Sequence, residues 1–187
     1  VLVDWSPEYV YRALIPDADE RRYFLTHVCN STWNVQQDAG RSLAEGTALL
    51  ARQFPEYASL IEAFYTRWPQ MLAGTLPDGL ALLETLDAAG IPLYALTNWS
   101  AETFPYARAN FPLLSRFRDI LVSGEIGLIK PDPAFYRLMF DRIARDLPDL
   151  QPEELVFIDD VEHNVQAARA LGWHGVHHGN DRHSHLE

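Results

Sequence analysis

The sequence predicts an α/β fold: a Rossmann-like parallel sheet core with helices on both faces and an inserted all-helical cap. Three observations predict it. Residues 7–75 carry helical patterning throughout. After Gly74, short apolar runs of strand length alternate with helix-length segments. Polar residues stand directly after those apolar runs. Such alternation implies parallel strands covered on both faces. The change of texture at residues 74–77 divides the chain into a core of residues 1–6 and 76–187 and a cap of residues 7–75.

Taken in order, Val1-Leu2-Val3 is an apolar run that reads as strand. Pro7 suits a first helical turn, and Tyr9, Val10, Ala13 and Leu14 follow at helical spacing. Asp19 is expected to cap a helix through Val28, Ser31 one through Ala39, and Ser42 one carrying Leu43, Leu49 and Leu50. Residues 57–72 repeat apolar positions at three and four, with Pro69 expected to kink or end that helix because it supplies no N–H. Residues 79–89 predict a helix stopped by Gly90 and residues 92–96 a strand. Helices over 100–109, 133–145 and 161–171 then alternate with strands over 119–122, 155–158 and 173–177.

The 187 residues are 48% hydrophobic and 22% charged, proportions of a folded unit rather than a disordered chain. Fifteen basic against 26 acidic residues give a net charge of −11, which disfavours nucleic acid and anionic lipid as partners. An anionic substrate therefore needs a local positive site. Cys29 is the lone cysteine, so no intrachain disulfide forms, and a cytoplasmic location is expected. No apolar run approaches the roughly 18 residues of a membrane span, and no signal peptide is read at the N-terminus. A monomer or homodimer is expected.

In open parallel sheets ligands bind outside the carboxyl ends of the strands. Thr97, Asn98, Trp99 and Ser100 follow the run 93–96, and Asp159 and Asp160 follow 155–158. Lys130 precedes Pro131 in a glycine-containing stretch after 120–122. Alone, each has an ordinary explanation: Asn98 or Ser100 as a helix cap, one aspartate capping the next helix, a solvated lysine. Two adjacent carboxylates, however, resist joint ionisation unless a cation or hydrogen bonds compensate, and magnesium commonly takes one or two carboxylates with phosphate oxygens and water. Hydroxyl, lysine and carboxylate pair, in this order on one sheet edge, describe a phosphate site. Asn164 stands one helical turn beyond Asp160, where it can secure a carboxylate or face solvent.

Leu93-Tyr94-Ala95-Leu96-Thr97-Asn98, Ile129-Lys130-Pro131-Asp132-Pro133 and Val156-Phe157-Ile158-Asp159-Asp160-Val161-Glu162-His163-Asn164 resemble the second, third and fourth motifs of the haloacid dehalogenase-like hydrolases, in the branch with a helical cap. The resemblance spans nearly the whole chain. It implies that Thr97 hydrogen-bonds the transferring phosphoryl group and that Lys130 holds the nucleophile. It implies Asp160 as the direct magnesium ligand and Asp159 as a carboxylate supporting Lys130 or metal-bound water. Asn98 and Trp99 become candidates for lining the pocket. The family's first motif, a strand ending in the aspartate nucleophile, is expected just upstream of Val1. Asp4 follows three apolar residues but lacks the expected glycine after it, and is assigned no catalytic role.

The resulting expectation is a magnesium-dependent phosphatase acting on a small phosphorylated metabolite through an aspartyl-phosphate. The alternatives are 2-haloacid dehalogenation, which the acidic pair disfavours, and a non-catalytic binding protein should the nucleophile be absent. Trp33, Asn34 and Gln37 form a polar and aromatic cluster facing either the crevice or the cap interior. The C-terminal stretch 174–185 holds five of the seven histidines, yet lacks paired cysteine or carboxylate ligand spacing and reads as strand plus tail.

Overall fold

Strand β1 (Val3–Trp5) pairs antiparallel with β2 (Leu72–Thr75), so the two ends of the helical segment leave the core side by side. The computed structural model describes residues 1–179. The sequence did not announce β2. The helix expected over 57–72 ends early, as α5 (Ala58–Thr66), and a 3₁₀ turn at Trp68–Met71 containing Pro69 hands the chain to the strand. Proline removes the ladder donor, and pairing with β1 supplies the alternative.

Between these strands the helical segment runs α1 (Glu8–Leu14), α2 (Ala18–Tyr23), α3 (Ser31–Asp38), α4 (Leu43–Gln53) and α5. Two caps fall earlier than expected. Asp17, not Asp19, accepts from the amides of Asp19 and Glu20, and Asn30, not Ser31, accepts from Trp33 N. Both have extended backbone, as an N-cap requires. Ser42 caps α4 through Glu45 N. After α2 the chain widens into a π-helical turn, Phe24–Val28. The segment closes on its own apolar core, in which Tyr11, Phe24, Ile61, Phe64 and Met71 are fully enclosed. The Tyr11 hydroxyl meets its one buried polar need at Leu60 O, 2.7 Å away.

The remainder alternates as expected: α6 (Pro77–Ala88), β3 (Tyr94–Thr97), α7 (Phe104–Asn110), β4 (Asp119–Val122), α8 (Ser123–Ile126), α9 (Pro133–Asp146), β5 (Val156–Asp159), α10 (Glu162–Ala170) and β6 (His174–His177). Helix α7 starts four residues later than expected because Ser100 O closes a turn on the amides of Thr103 and Phe104. The single turn of α8 carried no apolar periodicity to reveal it. Strands β3 and β4 pair in parallel, as do β5 and β6. Among the described residues no ladder joins β3 to β5, so the parallel sheet consists of two pairs, each with an open edge.

Alternate residues of β4 serve opposite faces. Leu121 packs with Phe135, Tyr136 and Met139 of α9 and with Phe157, whereas Val122 packs with Leu83 of α6 and Phe104 and Ala107 of α7. Helices thus cover both faces. The polar residues follow where the strands end: Thr97 is level with Val122, and Asp159 with His177.

Candidate active site

Asp159 is the last residue of β5 and is 4% exposed. A carboxylate so placed is costly unless each oxygen finds a partner. Its Oδ2 lies 2.6 Å from Lys130 Nζ, while Oδ1 accepts from Val161 N at 2.9 Å and Asn164 Nδ2 at 3.1 Å. Asn164, whose role the sequence left open, therefore secures this carboxylate. Both Asp159 oxygens are engaged, which suits a residue that fixes Lys130 and leaves metal binding to its neighbour.

Lys130 is itself held by its backbone. Asn98 Oδ1 accepts from Lys130 N at 2.8 Å, and Asn98 Nδ2 donates to Lys130 O at 3.0 Å. This two-pronged amide brace ties the turn after β3 to the lysine segment. The Asn98 amide is thereby committed to the Lys130 backbone. Trp99 likewise turns into the seam between the helical segment and the core. Its indole donates to Thr103 Oγ1 at 3.1 Å, and its ring meets Trp68 and Phe104 edge-on. The reason is apolar: the indole bridges two hydrophobic cores.

Asp160 faces a different environment, with a third of its side chain exposed. Its Oδ1 lies 3.2 Å from the Val1 nitrogen. A carboxylate so placed, partly open to solvent directly after β5, suits a hard divalent ion completed by water and phosphate oxygens. Among the described residues no three His, Cys, Asp or Glu side chains converge into a ready-made metal cluster. Asn164 Oδ1 is buried beside Asp159 with no partner among the described residues.

Thr97 ends β3 one residue before the Asn98 brace. No hydrogen bond to its hydroxyl occurs among the described residues, which leaves it available to a ligand. Lys130 contacts the chain neighbours of Thr97 and Asp160, namely Asn98 and Asp159.

Ser123 is a residue that the sequence reading missed. Its hydroxyl accepts from Trp99 N at 2.8 Å and donates to Asp38 O at 2.5 Å, pinning the same turn from the other side. A signal existed: Ser123 follows the apolar β4 just as Asn98 follows β3. The Trp33, Asn34 and Gln37 cluster lies inside the helical segment. Gln37 is fully buried and binds Trp33 O, Tyr65 Oη and Arg41 Nε, while the Trp33 indole donates to Gly46 O. At the C-terminal stretch, His177 Nε2 lies 3.0 Å from Asp160 O and its Nδ1 3.4 Å from Glu162. His183 and His185 lie outside the described residues.

A family model described as haloacid dehalogenase-like hydrolase matches residues 13–172. The chain is 34% identical to sesquiterpene phosphatase astK of Aspergillus oryzae over 97 residues, 52% of this chain and 47% of that protein. It is 30% identical to phosphoserine phosphatase of Thermus thermophilus over 127 residues, 65% of this chain and 47% of that protein. The chain thus spans about half the length of these curated relatives. An HAD family enzyme from Bacteroides thetaiotaomicron, crystallised with magnesium and inorganic phosphate, shares the fold. Its TM-score is 0.63 at 22% identity, covering 95% of this chain and 88% of that one. The match covers most of the sequence and agrees with the motif order read along it: the chain belongs to the haloacid dehalogenase-like hydrolase family.

Proposed function

We propose that this hydrolase is a magnesium-dependent phosphatase of a small phosphorylated metabolite. The observation that carries the reading is the division of labour between two adjacent carboxylates. Asp159 is saturated by Lys130, Val161 N and Asn164, whereas Asp160 keeps a third of its side chain exposed. Phosphatases among its relatives support the same class.

In this reading Asp160 holds the ion, which supplies Lewis-acid neutralisation of phosphoryl oxygen charge when bound. Lys130, kept rigid by Asp159 and Asn98, places its ammonium where negative charge builds on the phosphoryl oxygens. Thr97 offers its hydroxyl as a donor to one of those oxygens. The open edges of β3 and β5 suit an additional parallel strand, and we place the nucleophilic aspartate on such a strand, N-terminal to Val1. Its carboxylate would attack phosphorus, release the substrate alcohol and be regenerated by water. The helical segment would close over the crevice and select the leaving group.

The test is hydrolysis of an aryl phosphate by the protein with its natural N-terminal sequence, with magnesium and with chelator. Metal-dependent turnover that Asp160→Ala abolishes is expected. Chloride release from 2-chloropropionate in chelator would establish the dehalogenase instead, and neither activity would indicate a binding protein.

A further inference from the structure

The histidines that end β6 lie against the turn that carries Asp160. Register pairs Asp159 with His177, and the His178 N–H donates to Asp159 O at 2.9 Å, so the two strands finish level. One residue further on, Asp160 has left the ladder, and a side chain takes its carbonyl instead: His177 Nε2–H donates to Asp160 O at 3.0 Å. From the inner side Asp159 Oδ1 accepts from Val161 N at 2.9 Å. The peptide unit between Asp160 and Val161 is thus held at both ends, its N–H by Asp159 and its carbonyl by His177.

The His177 ring is itself oriented by α10. Its Nδ1 lies 3.4 Å from Glu162 Oε2, and Glu162 Oε1 accepts from Arg169 Nη1 at 3.2 Å and from Gln166 Nε2. Arg169 donates twice to Gly175 O, from Nε at 3.2 Å and from Nη2 at 2.8 Å. The contacts therefore begin and end on β6, running Gly175, Arg169, Glu162, His177, and residues 175 and 177 face the same side of the strand. A side chain at 175 would break the run: a Cβ there would lie 2.9 Å from Arg169 Cγ and 2.7 Å from Val165 Cγ1. The sequence Gly175-Val176-His177 has a reason that a count of histidines does not reveal.

We propose that His177 is a positioning residue for the metal-binding turn: braced on Glu162, its ring holds the Asp160 carbonyl and so sets the direction in which the Asp160 carboxylate is presented. Its consequence for metal affinity rests on the phosphatase reading, in which Asp160 is the ligand; the brace itself does not. A carbonyl oxygen only accepts, so what the contact requires of residue 177 is an N–H donor at that place. A carboxylate on a backbone already fixed loses less conformational freedom when an ion binds. The histidine-rich stretch thereby has a role in which no histidine is a metal ligand.

The test compares the protein carrying its natural N-terminal sequence as wild type, His177→Ala and His177→Gln, the last of which keeps an N–H donor of similar reach. Magnesium titrated calorimetrically should bind about tenfold more weakly to His177→Ala, with most of the loss recovered in His177→Gln. Turnover of an aryl phosphate by His177→Ala should need more magnesium and reach nearly the wild-type kcat once the metal saturates, a pattern that general loss of structure would not give. The brace is read without metal from the Val161 amide nitrogen, whose NMR shift answers to the hydrogen bond on the Asp160 carbonyl. That resonance should move in His177→Ala and return in His177→Gln. An unmoved Val161 resonance, magnesium affinity unchanged in His177→Ala, or a loss that His177→Gln does not recover overturns the proposal. Wild-type protein that binds no magnesium, with the Val161 response intact, refutes the phosphatase reading and leaves the brace standing.

Discussion

Removing both partners of the Lys130–Asp159 pair should destabilise the protein clearly less than the sum of removing each alone. The nitrogen and oxygen lie 2.6 Å apart, with side chains 12% and 6% exposed. At an effective dielectric of about 20 that separation corresponds to roughly 6 kcal/mol of attraction, most of it offset by desolvation of both groups. Lys130→Met leaves Asp159 with the Val161 and Asn164 donors but no counter-charge, a defect worth about 3–5 kcal/mol. Asp159→Asn similarly strands a buried ammonium. The double variant replaces a buried ion pair with neutral groups and should recover about 2 kcal/mol or more relative to the sum of the singles. Urea unfolding at neutral pH, monitored by tryptophan fluorescence, reads all four corners of the cycle. A coupling below about 0.5 kcal/mol would mean the pair behaves like an exposed salt bridge and refute the reasoning.

Three further outcomes follow from other parts of the structure. The rise of the Asp38 carboxyl from 3.8 to about 7 means the folded state binds its proton more tightly than the unfolded chain. That contribution is fully present at acid pH and is lost as pH climbs from about 4 through 7. The stability difference between wild type and Asp38→Asn should therefore shift against the wild type by at most about 4 kcal/mol between pH 4 and 8, read by denaturant titration. Asn98→Ala removes both prongs on the Lys130 backbone and should cost about 1–3 kcal/mol in urea unfolding, with a larger proportional loss in aryl phosphate turnover. Phe64→Ala, in the enclosed core of the helical segment, should cost about 3–5 kcal/mol in the same unfolding assay, because the ring is 1% exposed and its space cannot be filled.

The strands and long helices of the core were legible because apolar runs bounded by glycine and proline state both period and limits. The carboxylate pair was legible as a candidate because it falls at the end of an apolar run, with Asp159 the last residue of β5 and Asp160 the next. What escaped the sequence were relations between distant segments. Strand β2 exists because Leu72–Thr75 finds β1, and its four residues resemble the tail of the preceding helix. The partners of Asn98 and Trp99, the Lys130 backbone and the rings of Trp68 and Phe104, are likewise distant in sequence. Asp38 and Ser123 are 85 positions apart, and nothing local marks either as part of one clasp. The capping residues were missed by only one or two positions, since Asp17 and Asp19, or Asn30 and Ser31, are chemically equivalent choices settled by backbone extension.

The central claim is that Asp160 holds a divalent ion beside the Lys130 ammonium and that the two together receive a phosphoryl group. Calorimetric titration of the protein carrying its natural N-terminal sequence tests it most directly, with magnesium first and inorganic phosphate second. Phosphate should bind only once magnesium is present, and Asp160→Asn should weaken magnesium binding by about tenfold or more. Magnesium binding unchanged in Asp160→Asn, or phosphate binding indifferent to the metal, would contradict it.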